Sequence, residues 1–424
     1  MKHHGMKHHG MKLSVLRIRD FRLLWCAGLV SNLGSYLLAI AIPLHVYEVS
    51  RSLLASGTVL AAEYAPSLVL APAAGLLADR CDRRTLMLAA DVFRAGAVAL
   101  LFGDAHAYWI VYLAVATESA GTAVFGPALV ARIPAIVGTG PDLAGAASLN
   151  AVTGGVVGLV GGPLGGLLVT FTGMTPLIWA DVASYLVSAG LMLMTSRRPA
   201  LAAGSGAGPS TVAPGTGRVG VRAGWQALRA EPAVRVLLPV GTLFLAANAS
   251  LTALFTPFAV TQLGGAREAG LLLFSVSAGY LTGAPLIRLL LASGTPAYLL
   301  ASCLTITAIA FSVMFGATSL AQAAPSAFVV GMAGTMALAV INTTMQRLIP
   351  GGVLGRVSSV FIGAEAAATL LGAVTGPLLA QFASIFVAAL TASAVTLVSA
   401  VLALHSASGK PGGHQSGALT DMAN

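Results

Sequence analysis

Charge is what this sequence has least of. Only 9% of its 424 residues are Asp, Glu, Lys or Arg, while 57% are apolar. Ordinary soluble proteins carry about 25% charged residues, so a soluble fold of this size lacks the shell it would need. Cysteine is scarce as well. Cys26, Cys81 and Cys303 lie far apart with no metal-ligand spacing, which argues against a disulfide framework and against a zinc site. The sequence has no Gly-x-x-x-x-Gly-Lys-Ser/Thr phosphate loop and no His-Glu-x-x-His pair. Neither an ATP-driven pump nor a zinc protease is indicated. No nucleophile–base constellation is identifiable, so no enzymatic activity, metal or cofactor is expected. No cleavable signal peptide is apparent, and the first long apolar run reads as a retained helix.

What is present is a series of long apolar runs broken by short polar turns. Their lengths predict an all-α membrane protein with twelve transmembrane helices in two six-helix bundles. The expected helices cover about 21–49, 53–77, 85–103, 108–130, 145–170 and 176–196, then about 236–262, 269–291, 297–316, 325–348, 357–381 and 384–405. Tyr108 and Trp109 suit interfacial anchors. Residues 1–12 open on Met-Lys-His-His-Gly twice and are read as a tag-like or disordered segment outside the fold. The first bundle is 13–198 and the second 233–405. Between them, 199–232 reads as a cytoplasmic linker. Its first part is Pro, Gly, Ala and Ser without periodicity. Val219 to Arg235 then places Trp225, Leu228 and Val234 among Arg222, Arg229 and Arg235, a short amphipathic helix for the membrane face. The polar tail 406–424 is expected to be disordered.

The two halves echo each other. Arg132-Ile133-Pro134 precedes the expected fifth helix, and Arg347-Leu348-Ile349-Pro350 precedes the eleventh. Gly158-x-x-x-Gly162-Pro163 lies in the fifth, and Gly372-x-x-x-Gly376-Pro377 in the eleventh. Matching elements at matching places indicate an internal duplication, the usual construction of secondary transporters. Of the 23 Lys and Arg, all but Arg51, Arg267 and the intrahelical Arg94 fall on one side of the expected spans. The positive-inside rule therefore puts both termini in the cytoplasm. The basic balance reflects topology, and nucleic acid is not an expected partner.

Ionisable groups inside the bilayer cost roughly 2.5 kcal/mol or more at a helix centre and suggest function by default. Glu118, midway along the fourth helix, and Glu63, midway along the second, are the candidates for carrying a coupling proton or touching substrate. Asp91 and Arg94 lie one helical turn apart and read as a structural ion pair; Asp181 is also assigned a structural role. Asn32, Ser35, Asn248 and Asn342 offer hydrogen bonds at similar depth and are cavity-lining candidates. The run from Gly154 to Gly166 holds seven glycines and Pro163, and such small residues let helix backbones approach closely.

Between the second and third helices stands Gly75-Leu-Leu-Ala-Asp79-Arg80-Cys-Asp82-Arg83-Arg84. This basic stretch between apolar runs suits a short cytoplasmic loop. Gly75, Leu77, Ala78, Asp79, Arg80, Arg83 and Arg84 resemble the loop signature of the major facilitator superfamily, with Asp82 where many members have glycine. The resemblance covers about residues 13–405. Ser31-Asn32-Leu33-Gly34 and Leu354-Gly355-Arg356-Val357-Ser358-Ser359 are similar to bacterial exporters of the siderophore and macrolide efflux type.

Several expectations follow from the resemblance alone. Helices one, four, seven and ten line a central cavity, which places Glu118 on its wall. The aspartate of the loop signature, here Asp79, latches onto the start of the eleventh helix when the cavity faces outward. Gly158-x-x-x-Gly162-Pro163-x-x-Gly166 resembles the gating motif of drug–proton antiporters, with Leu167 where a further glycine is common. Ser35 stands where many of those proteins carry an aspartate, and the fourth helix lacks their membrane-embedded arginine. The implied protein is a monomeric secondary active transporter in the cytoplasmic membrane. It exports a small, largely hydrophobic compound by alternating access, with protons and membrane lipids as its other partners. A symporter importing a neutral metabolite is the alternative.

Overall fold

The computed structural model describes residues 13–103, 107–138, 141–197, 232–290, 295–348 and 351–408. The expected N-terminal segment, the linker with its amphipathic helix and nearly all of the tail lie outside the described residues.

Twelve long helices account for the described chain: α1 (Arg19–Ser50), α2 (Leu53–Arg80), α3 (Arg83–Ala99), α4 (Tyr108–Val137), α5 (Pro141–Thr172), α6 (Thr175–Leu193), α7 (Pro232–Thr252), α8 (Ala266–Leu290), α9 (Pro296–Phe315), α10 (Leu320–Leu348), α11 (Gly351–Phe382) and α12 (Ile385–Ser408). Twelve spans among them are long and apolar enough to cross a membrane. Lipid offers backbone groups no partners, so each crossing must satisfy its own hydrogen bonds, and a helix does.

Packing repeats between the halves. In the first, α1 packs on α5 and α6, α2 on α4, and α3 on α4 and α6; in the second, α7 packs on α11 and α12, α8 on α10, and α9 on α10 and α12. The bundles meet along two seams, α2 with α11 and α5 with α8. Each is the image of the other when six is added to every helix number, the signature of a duplicated unit.

Glycine brings the backbones together, but the two motifs use it differently. On α5, Gly161 and Gly165 lie against Tyr36 and Leu37 of α1, whereas Gly155, Gly162 and Gly166 meet Leu281, Leu273 and Ala266 of α8. On α11, Gly372 and Gly376 both lie against α7, at Ala246 and Ser250. Each proline lies opposite a glycine: the Pro377 ring meets Gly57 across one seam, and the Pro163 backbone meets Gly270 across the other. Both contacts lie near the end where α1 turns into α2. At that end Gln381 Oε1 of α11 accepts hydrogen bonds from Ser52 Oγ (3.3 Å) and Leu54 N–H (3.4 Å) of α2.

The tenth and eleventh helices begin earlier than expected, at Leu320 and Gly351, so residues 354–359 lie within α11; three further departures have physical reasons. The basic loop is mostly helix: α2 runs through Arg80, and only Cys81 and Asp82 separate it from α3. Asp82 caps α3, its Oδ2 accepting from Thr85 N–H at 3.0 Å and from Thr85 Oγ1 at 2.8 Å. Burial opposes ionisation there, but those bonds and the nearby Arg132 and Arg84 charges hold the carboxyl below its usual range. Arg132 sits inside α4, not beyond its end. It is buried and donates from Nη2 to Ser196 O at 2.7 Å and Thr195 Oγ1 at 3.1 Å, tying α4 to the end of α6. The expected seventh helix breaks after Thr252. It resumes as Phe255–Phe258 and runs into a π-helical turn, Ala259–Leu263. Pro257 has no N–H to return to the Ala253 carbonyl, so the ladder fails there.

Candidate functional site

Pro43 lies within α1 and α7 breaks opposite it, and between these helices the bundles enclose a cavity of about 270 Å³. Its wall is largely aliphatic, with Tyr36 and Phe255 as its aromatic residues. Three carboxylates line it: Glu63 from α2, Glu118 from α4 and Asp181 from α6. Among the described residues that line it, none is Lys, Arg or His.

Glu118 is held from two sides. Tyr185 Oη of α6 donates to Glu118 Oε1 at 2.7 Å, and Thr122 Oγ1, one turn along α4, donates to the same oxygen at 2.9 Å. Tyr185 Oη also lies 2.8 Å from Ser35 Oγ of α1. Behind this layer Arg94 pairs with Asp91, a salt bridge in which the two side chains are 5% and 0% exposed. Ser188 Oγ donates to Asp91 Oδ2 at 2.6 Å, and Arg94 reaches Thr122 Oγ1 at 3.4 Å. The guanidinium also lies 4.3 Å from the Phe125 ring centroid and 4.4 Å from that of Tyr185, within cation–π range. Its charge is thus committed to Asp91 and two aromatic faces. It does not enter the cavity.

Glu63 and Glu118 share the cavity wall, joined behind by the Ser119 hydroxyl donating to the Glu63 carbonyl. Ser35 lines the cavity; Asn32, Asn248 and Asn342 do not. Asp181, assigned structure by the sequence, lines it as well: α1 carries glycine at Gly34, where a Cβ would lie 2.5 Å from Asp181 Oδ1. Glu365 lies against α7 near Gly241 instead. In the loop signature, Arg83 Nη1 donates to Ala131 O at 2.9 Å and Arg84 Nε to Met192 O at 3.0 Å. They fasten α3 to the ends of α4 and α6. Sequence reasoning missed Tyr185 and Thr122. Thr122 was accessible, one turn from Glu118, but nothing along the chain places Tyr185 beside it.

Two six-helix bundles related by duplication, meeting along paired seams around a cavity, have the multi-pass architecture of the major facilitator superfamily. Within it the chain belongs to the transmembrane secretion effector family, whose model matches residues 11–416. Its relatives are transporters, not enzymes. Macrolide efflux protein A of Streptococcus pyogenes is 27% identical over 249 residues, a match that spans 58% of this chain and 60% of the relative. The uncharacterized MFS-type transporter YfiS of Bacillus subtilis (strain 168) is 25% identical over 171 residues, 40% of each chain. Among solved structures, a bacterial homologue of the iron transporter ferroportin in an inward-facing state superposes with a TM-score of 0.74 at 16% identity, covering 93% of this chain and 99% of that one. A POT family transporter in complex with 5-aminolevulinic acid gives 0.73 at 11% identity, covering 91% and 96%.

Proposed function

We propose that this protein is a monomeric secondary active exporter of the bacterial cytoplasmic membrane. It moves a small, largely hydrophobic compound (a drug, antibiotic or siderophore-like molecule) by alternating access in exchange for protons. The observation that carries this reading is the aliphatic cavity with three carboxylates and no lining cation. Its wall desolvates an apolar body, while Glu118 and Glu63 are placed to exchange protons or to meet one positive centre. An anionic compound would find no counter-charge there. Efflux-type relatives support the direction of transport, and the placement of Lys and Arg supports cytoplasmic termini. In that orientation the Gly57–Pro377 and Gly270–Pro163 contacts close the outer face.

The test is a susceptibility panel in an efflux-deficient host, together with uptake of a radiolabelled macrolide and of lipophilic amines into inverted vesicles. Parent protein raises tolerance to at least one compound, and uptake into vesicles collapses when the pH gradient is dissipated. Gradient-driven accumulation by whole cells, without any gain in tolerance, would point to import and overturn the proposal.

The loop signature makes a second expected result. Asp79 sits in the last turn of α2, and in the superfamily its counterpart bonds the free N–H groups that begin the eleventh helix, a position that favours negative charge. Asp79→Asn inserts normally and transports at least tenfold more slowly in vesicles. Equal rates for mutant and parent exclude the latch.

A further inference from the structure

Resting on the exporter reading of the cavity, we propose that Tyr185 is the positioning residue that governs how Glu118 holds its proton. It also joins that event to the placement of α1. The phenol is fully buried, and its hydroxyl stands at a three-helix junction, 2.7 Å from Glu118 Oε1 on α4 and 2.8 Å from Ser35 Oγ on α1. A hydroxyl has one hydrogen to give. With that hydrogen on Oε1, the remaining lone pairs of Tyr185 are free to accept from Ser35, whose own hydrogen is shared between Tyr185 Oη at 2.8 Å and Ser31 O at 3.2 Å; when it turns to Tyr185, a Ser35→Tyr185→Glu118 chain is polarised toward the carboxylate.

Thr122 delivers its hydrogen to the same Oε1. Oε2 receives none among the described residues, so it is the oxygen that takes the proton from the cavity. Both hydroxyls favour the ionised carboxylate, because each bond is stronger to a charged acceptor. The other charged and titratable groups facing this carboxylate are Glu63 from α2, Asp181 from α6 and Tyr36 from the α1 wall. On α3, Arg94 is neutralised by Asp91 and screened by the Tyr185 ring. Two of those neighbours are carboxylates. Tyr185 reaches both Oε1 and Ser35 only while α1, α4 and α6 keep these distances. A relative shift of α1 that draws the Tyr185 hydroxyl to Ser35 releases Oε1 and lets the proton stay.

The readout is the pH profile of dicyclohexylcarbodiimide labelling at Glu118, located by mass spectrometry in the purified protein in lipid. The reagent consumes the protonated carboxyl: the carboxyl oxygen adds to the carbodiimide carbon, the proton passes to its nitrogen, and the adduct rearranges to a stable acylurea. Tyr185→Phe keeps the ring over Arg94 and removes only the hydroxyl. Labelling at Glu118 persists to higher pH in this variant by about one unit, a tenfold change in proton affinity. Ser35→Ala moves the profile by less, and Thr122→Val moves it as Tyr185→Phe does. Glu118→Gln removes the label. A Tyr185→Phe profile that coincides with the parent's overturns the proposal, as does an unlabelled Glu118 in the parent at every pH. If the profile moves but Glu118→Gln exports like the parent, the proton-exchange role of Glu118 fails while the positioning role of Tyr185 stands.

Discussion

Glu118→Gln lowers export in vesicles at least a hundredfold while the protein remains folded and inserted. Glutamine keeps the size of the side chain, and its amide oxygen still accepts from Tyr185 and Thr122, which donate to Oε1 at 2.7 and 2.9 Å in the parent. What disappears is the capacity to exchange a proton or carry charge at Oε2. A carboxylate without a cationic partner inside the bilayer costs roughly 2.5 kcal/mol or more; retaining that cost without a use for the charge is hard to justify energetically. Glutamine is therefore expected to leave thermal stability unchanged or slightly higher. The measurement pairs initial rates under an imposed pH gradient with a melting curve in the same detergent. Substrate binding without a gradient is expected to persist, because the aliphatic wall is intact. Rates within twofold of the parent would remove Glu118 from the coupling step.

Arg94→Leu has the opposite signature and strikes stability first. It leaves the Asp91 carboxylate, 0% exposed, with the Ser188 hydroxyl as its remaining donor among the described residues, at 2.6 Å. Breaking one partner out of a buried pair costs about 3–5 kcal/mol, and the loss here also strips the one cation shared by the Phe125 and Tyr185 rings. A sharp fall in melting temperature and in membrane yield is expected. Asp91→Leu combined with Arg94→Leu recovers much of it, since an apolar pair of similar bulk leaves no orphaned charge. A double variant no more stable than the single one would show that the pair's neighbours, and not its charges, set the cost.

Much of the molecule was legible because lipid restricts what a chain can do. Each apolar run had to be a helix, and the paired Gly-x-x-x-Gly-Pro segments revealed the repeat before any coordinates. The misreadings have local causes. The Arg132-Ile133-Pro134 triplet looked like a helix end because proline usually stops a helix, yet α4 continues to Val137 with Pro134 inside it. The seventh span read as continuous because hydropathy does not register the missing N–H of Pro257. At the site, depth along a helix could be estimated for Glu118 and Glu63, but rotation about the axis could not. Asp181 and Asp91 therefore looked alike, although one lines the cavity and the other lies behind it. Tyr185 was invisible for the same reason: its meaning comes from Ser35 and Glu118, far away in the chain.

On one seam the Pro377 ring rests on Gly57, and on the other Gly270 meets the backbone of Pro163. Elsewhere side chains interlock like cogs, and parting them means climbing out of a notch. A glycine at each of these two contacts leaves no side chain to lift. What has to part when the halves turn is then the polar contact beside them, where Gln381 holds Ser52 and Leu54.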